Sequence, residues 1–151
     1  MASEIILIDA FAQIYRGYYA IRYLTDSEGR PVNAIYAMAK FLLQMHNAYP
    51  STGGAVVIDR GKPDFRLEIQ PEYKANRPPM PEDLREQLDP IEDMIQAFGW
   101  PIIGKEGYEA DDLIAAIAAD RTEEPIRFVS ADKDLCQIIT GRVKMLAPNH
   151  K

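Results

Sequence analysis

Ile5-Ile6-Leu7-Ile8-Asp9 is a run of four apolar residues that ends in a carboxylate, and the same phrase returns as Ala55-Val56-Val57-Ile58-Asp59. Two further apolar runs lead to acids. Pro101-Ile102-Ile103 runs on to Glu109, Asp111 and Asp112, and Arg127-Phe128-Val129-Ser130-Ala131 runs on to Asp132 and Asp134. Stretches with a helical period separate these runs. Short apolar runs alternating with helices read as βαβ units, whose crossovers force the strands to lie parallel with their ends all pointing one way. The sequence therefore predicts an α/β fold with a mainly parallel central sheet. Its acids gather along the carboxyl edge, where open sheets of this kind bind ligands. Like charges crowded there repel one another at neutral pH unless a counter-charge is present, so the pattern calls for divalent metal.

The intervening stretches supply the helices. Phe11, Ile14, Tyr15 and Tyr18 fall at helical spacing directly after Asp9, and Ile35, Met38, Phe41, Leu42 and Met45 mark a second amphipathic helix that stops before Pro50. Met38 and Met45 read as packing residues, and Ser51-Thr52-Gly53-Gly54 reads as a break before the second strand. A third helix begins at Pro81 with Glu82 and Asp83 in its first turn, where the helix dipole favours them. It continues through Leu84, Leu88, Ile91, Ile95 and Phe98, and Pro90 should kink it or divide it. Ala110, Leu113, Ile114, Ile117 and Ala118 form the next helix, Leu135, Ile138 and Ile139 a short last one, and Val143 to Leu146 a fifth strand.

The segment 61–81 differs in kind. Prolines at 63, 71, 78, 79 and 81 and charges interleaved with Phe65 and Tyr73 leave no clear period, which suggests a lid or arch over the strand edge. Arg60, Lys62, Arg66, Lys74 and Arg77 give it a local basic excess. Tyr73 beside Lys74 and Arg77 offers a stacking face next to two cations, suited to a nucleic-acid strand; a solvated loop is the bland alternative.

Composition bounds the rest. At 151 residues and 47% hydrophobic content the chain suits one domain, 1–151, with a real core. The single Cys136 cannot form an internal disulfide and reads as core. With no leader-like start and no apolar stretch near 20 residues, the expectation is a soluble, cytoplasmic protein with no membrane partner. Net charge is −6, from 17 basic and 23 acidic residues. Setting the seven strand-end acids aside leaves the remainder about neutral, so an acidic total is compatible with a phosphate substrate. There is no glycine-rich phosphate loop or GxGxxG, and His46 and His150 are poorly placed for a nucleophile mechanism or for zinc.

Each acid also has a bland reading. Acids in the first turn of a helix are stabilised by its dipole, and Asp9, Asp59 and Asp132 could each cap a following turn. At about 100° per residue Glu109 and Asp111 flank the apolar stripe while Asp112 projects away from it, so helical projection alone does not bring the three to one ion. The joint pattern is what points to one or two oxygen-ligated Mg²⁺ or Mn²⁺ ions and to phosphoryl chemistry.

Taken in order, five phrases closely resemble the flap endonuclease and 5′-3′ exonuclease family, itself PIN-like, in the form of the amino-terminal 5′ nuclease domain of bacterial DNA polymerase I. They are Leu7-Ile8-Asp9 with Tyr15-Arg16 and Tyr19-Ala20, then Val57-Ile58-Asp59 with Phe65-Arg66. Pro71 to Pro78, Gly107 to Asp112 and Ser130 to Asp134 complete the set. The resemblance implies a Rossmann-like three-layer sandwich with an arch insertion, acting on 5′ ends or 5′ flaps of DNA in replication and repair, near the bacterial nucleoid. It implies that Asp9, Asp59, Glu109, Asp111, Asp112, Asp132 and Asp134 hold two divalent ions, directly or through water. Lys74 and Arg77 would act on the scissile phosphate, Tyr73 would stack, and Arg16 and Arg66 would join Tyr73, Lys74 and Arg77 in contacting DNA.

Two departures accompany it. Ala10 stands where the family has glycine, and the family continues past the point matching Lys151, with a helix-hairpin-helix-like module and further acids. The resemblance thus implies a fragment with one metal site intact, the second partial, weak duplex affinity and a downstream polymerase domain as a candidate partner, the alternative being a reduced form whose second metal and duplex grip come from elsewhere. The competing readings are a binding fragment of the same fold without turnover and a PIN-like ribonuclease. A receiver-type signalling domain shares the strand-end acids but has no place for the Tyr73 to Pro78 segment.

Overall fold

In the computed structural model of the chain, residues 4–49, 53–60, 80–121, 125–130 and 143–146 are described. Five strands, β1 (Ile5–Asp9), β2 (Gly53–Val57), β3 (Ile102–Ile103), β4 (Ile126–Val129) and β5 (Val143–Leu146), form one sheet in the order β3-β2-β1-β4-β5. Every pairing is parallel. The chain builds outward from β1 to β3, then returns to place β4 on the other side of β1. The order therefore reverses between β1 and β4, the switch point at which doubly wound sheets open a crevice.

Side chains alternate across the sheet with a period of two, and each set meets its own helices. Ile6, Ile8, Val56, Ile58 and Val129 pack on one face with residues of α1 (Ala10–Ala20), α2 (Asn33–Ala48), α3 (Glu82–Arg85) and α4 (Leu88–Ala97). Leu7, Ala55, Val57, Ile126 and Phe128 pack on the other with Ala110, Ile114 and Ala118 of α5 (Ala110–Asp120). Strands apolar on both faces are what a sheet covered on both sides requires, and the result is three layers. Each fully buried Ile or Phe adds about 1.5–3 kcal/mol of burial energy before entropy is counted.

Met38 and Met45 are buried in α2 as expected. The division expected near Pro90 also occurs, but at residues 86–87, so that Pro90 falls in the first turn of α4. A missing amide costs little there, because the first four amides of a helix have no internal acceptor. Gly53 and Gly54 prove to be strand rather than break: they pair with Ile5 and Ile6. A Cβ on Gly54 would stand 2.5 Å from the Ile6 carbonyl oxygen and 2.6 Å from the Trp100 ring, so close approach of backbone, not a turn, demands glycine. α1 and α2 approach as closely, since a Cβ on Gly17 would lie 2.6 Å from that of Ala37. The fourth strand runs Ile126–Val129 rather than to Ala131. Among the described residues no helix is long and apolar enough to cross a membrane. The arch expected at 61–81, up to residue 79, and the helix expected around Cys136, Ile138 and Ile139 lie outside the described residues.

Candidate metal centre

Asp9 closes β1 and caps α1. Its backbone is extended, and its Oδ1 accepts the Ala12 amide at 3.3 Å. Its Oδ2 accepts the hydroxyl of Ser130 at 3.0 Å, and Ser130 is the residue immediately after β4. That bond spans the switch point. Ser130 is buried, and the sequence offered no sign of its role beyond its place at a strand end.

Asp59 lies two residues past Val57, the register partner of Asp9. Its Oδ1 accepts the amide of Ala110, the first residue of α5. The structure shows a capping role that reaches far along the chain: Asp59 caps a helix 51 residues away. The start of α5 is thereby held against the end of β2.

Glu109 is the N-cap of α5, with φ −83° and ψ 160°, and it is buried. It shares a capping box with Asp112, whose Oδ2 accepts the Glu109 amide at 3.1 Å. The Asp112 amide in turn donates to Asp111 Oδ1 at 3.0 Å. One carboxylate oxygen from each of Glu109, Asp111 and Asp112 lies within 4.8 Å of the others. As expected, it is the start of the helix, not helical projection, that brings the three together. Glu109 sits in extended backbone, so the 100° rule does not carry through it, and the box folds Asp112 back toward the cap.

The donor set is entirely carboxylate oxygen, which suits hard divalent cations and offers nothing to soft ones. The α5 dipole offsets part of the mutual repulsion, by up to about 2 kcal/mol per acid at a partly buried helix start. Arg16 is exposed on α1, about two turns beyond its capping residue Asp9. Asp132, Asp134, Arg66, Tyr73, Lys74 and Arg77 lie outside the described residues. The structure thus assembles Glu109, Asp111 and Asp112, sets Asp59 at the start of their helix, and places Asp9 at the switch point.

Fold and site together define a doubly wound α/β domain whose carboxyl edge carries hard, anionic oxygen donors. The family described as 5′-3′ exonuclease, N-terminal resolvase-like domain, matches residues 4–151, and the chain belongs to it. It is 38% identical over 146 residues to DNA polymerase I of Pseudomonas aeruginosa, covering 95% of this chain and 16% of that protein. It is 37% identical over 143 residues to a 5′-3′ exonuclease of Buchnera aphidicola, covering 93% of this chain and 47% of that one. The chain therefore spans under half the length of either relative. Among solved structures, a bacteriophage T5 flap endonuclease in a pseudo-enzyme-product complex with DNA and metal ions aligns with TM-score 0.76 at 22% identity, over 96% of this chain and 55% of that one. A T5 5′-exonuclease with bound zinc aligns with TM-score 0.69 at 21% identity, over 96% and 55%. At these identities the structural matches speak to the fold.

Proposed function

We propose that the chain carries the metal-binding part of a 5′ nuclease that hydrolyses phosphodiester bonds at 5′ ends or 5′ flaps of DNA in replication and repair. The observation that carries this reading is the convergence of Glu109, Asp111 and Asp112 oxygens within 4.8 Å at the sheet edge that Asp59 ties down. Family membership and the metal-bound and DNA-bound T5 relatives support it. Glu109, Asp111 and Asp112, with Asp9, Asp59, Asp132 and Asp134, would hold Mg²⁺ or Mn²⁺. Bound there, such ions supply acidity to a nucleophilic water and offset charge on the leaving oxygen.

The chain's own residues do the positioning. Ser130 fixes the Asp9 carboxylate across the switch point, and Asp59 fixes the helix start that presents the other acids. Lys74 and Arg77 are assigned to the scissile phosphate, Tyr73 to stacking on an unpaired base, and Arg16 and Arg66 to the strand backbone. The working place is the bacterial cytoplasm at the nucleoid, and the DNA polymerase I relatives point to a polymerase domain as a covalent partner.

Cleavage of 5′-labelled flap DNA by the 151-residue chain, with Mg²⁺ or Mn²⁺ and a chelated control, tests this reading. Chelator-sensitive release of short 5′ products, lost in Asp59→Asn, is the expected result. Cleavage that persists in Asp59→Asn overturns the assignment. Metal binding without cleavage favours a second reading, a metal-binding part whose turnover needs residues beyond it, a reading motivated by the 47% coverage of the Buchnera exonuclease.

A further inference from the structure

Arg60 follows Asp59 directly and belongs to no strand or helix, yet three separate parts of the molecule meet on it. Its guanidinium Nη2 donates to Glu92 Oε1 at 2.6 Å, reaching α4 in the helix layer on one face of the sheet. Its side chain occupies the space left by Gly104, where a Cβ would stand 2.7 Å from Arg60 Cγ, 3.0 Å from Arg60 Nε and 2.9 Å from Ile58 Cγ2. Its carbonyl accepts the amide of Gly107 at 2.9 Å, and its backbone bridges to Glu106 and Tyr108 on either side. Gly107 has φ +86°, a left-handed turn that reverses the chain two residues before Glu109.

The segment leading into the acid cluster is therefore held at two neighbouring points of one extended stretch. Arg60 takes the amide of Gly107, and Asp59 takes the amide of Ala110. Glu109 lies between these anchors. If Arg60 shifts, the first anchor moves and the second alone cannot fix the direction in which Glu109 leaves the turn. The long side chain of Arg60 would otherwise be free to rotate, and Gly104 and Glu92 remove that freedom. Lys105 over the Tyr108 ring at 4.9 Å stiffens the same turn from its outer side.

We infer that Arg60 is a positioning residue for the acid cluster. Locked to α4 through Glu92 and seated on Gly104, it sets the Gly107 turn and hence the approach of Glu109, Asp111 and Asp112 to one another. The inference deepens the metal-binding reading above and rests on it. The ion pair is partly exposed, 45% for the Arg60 side chain and 23% for that of Glu92. Such pairs contribute little to global stability, so its effect falls on local geometry.

Two readouts on the 151-residue chain test this, with far-UV circular dichroism to confirm that each variant is folded. The first is hydrogen exchange at the Gly107 amide in metal-free protein. The second is Mn²⁺ affinity by calorimetry. Arg60→Ala and Glu92→Gln should each speed Gly107 exchange by about tenfold, as expected when a local opening is eased, and weaken Mn²⁺ binding by about fivefold. The double variant should be no worse than Arg60→Ala alone, because both act through one contact, and Arg60→Lys should recover part of the affinity. A purely structural role would lower the unfolding midpoint without this selective change at Gly107. Unchanged Gly107 exchange in both single variants, or faster exchange with unchanged Mn²⁺ affinity, overturns the inference. Absence of Mn²⁺ binding by the unaltered chain carries a different signature: it overturns the metal reading itself and the inference with it.

Discussion

Two helix starts in this molecule are closed from a distance, and they are closed in opposite ways. At α2 the cap comes from Gln87, whose Oε1 accepts the amides of Ala34 at 2.8 Å and Ile35 at 3.1 Å. Its Nε2 donates to Asn33 Oδ1 and to the Asp83 carbonyl, both at 2.8 Å. Asn33 passes its own amide on to the carbonyls of Tyr18 and Ile21. Gln87 and Asn33 are both buried, they are neutral, and among the described residues no buried side-chain polar atom is left without a partner. At α5 the same task falls to Asp59 and Asp112, with Glu109 and Asp111 beside them. A helix start leaves four amides without an internal acceptor. Each of the four carboxylates takes an amide there, and together they hold negative charge at a sheet edge. The first network is neutral, as architecture alone requires; the second concentrates negative charge at a sheet edge, the donor chemistry that suits hard divalent cations.

The sharpest separation of the two regions is expected from Asp59→Asn. The amide oxygen can still accept from Ala110, so the thermal midpoint should hold, while flap cleavage falls by about a hundredfold or more, on the scale of disturbing the groups around a bound metal. A large drop in thermal stability instead would place Asp59 with Gln87 as an architectural cap. Gln87→Leu should do the reverse. Orphaning two α2 amides and Asn33 should cost about 2–4 kcal/mol in urea unfolding, while the folded fraction keeps its affinity for Mn²⁺. A loss below about 1 kcal/mol would show that water replaces the network at little cost.

A finer cut comes from Asp112→Asn, which keeps an acceptor for the Glu109 amide and deletes only charge. Stability should stay within about 0.5 kcal/mol, and Mn²⁺ affinity measured by calorimetry should fall about tenfold. Equal affinity would mean that Asp112 serves the capping box alone.

The smallest effect belongs to the exposed loop 26–30, where a single carboxylate is held by its neighbours. Backbone and side-chain bonds from Arg30 are the main cause holding Asp26 below its ordinary value of 3.8, with the Glu28 amide adding to them. A lowered carboxylate contributes stability above its ordinary range, and that contribution is lost as pH falls through the lowered value. Arg30→Ala should therefore be slightly less stable than the parent at neutral pH, with the gap closing below pH 3.8. An NMR titration should show the Asp26 midpoint return toward 3.8 in that variant.

How much of this was legible beforehand varies with the reach of the interaction. β1, the end of β2 and α2 were plain because alternation and helical period are local. The Gly53-Gly54 start of β2 was not, because its reason is the Ile6 backbone and the Trp100 ring, both distant in sequence. Glu109, Asp111 and Asp112 were legible as acids at a helix start, whereas their meeting was not, because it depends on the extended cap residue and its capping box. Gln87 gave no local sign of its role, since the amides it serves lie 52 and 53 residues away. Arg60 was counted with the basic excursion, and its tie to Glu92 across 32 residues gave no local sign.

The sequence by itself determined the class of fold, the direction of the strands and the edge on which the acids fall. Strand and helix periods are set by neighbours a few residues apart, and parallel crossovers leave no freedom in which ends align. Only the tertiary structure decided which acids meet. Whether Asp59 reaches Ala110, Asp9 reaches Ser130 or Asp112 folds back to Glu109 depends on hydrogen bonds at the chain's turns and caps, where local period no longer specifies direction.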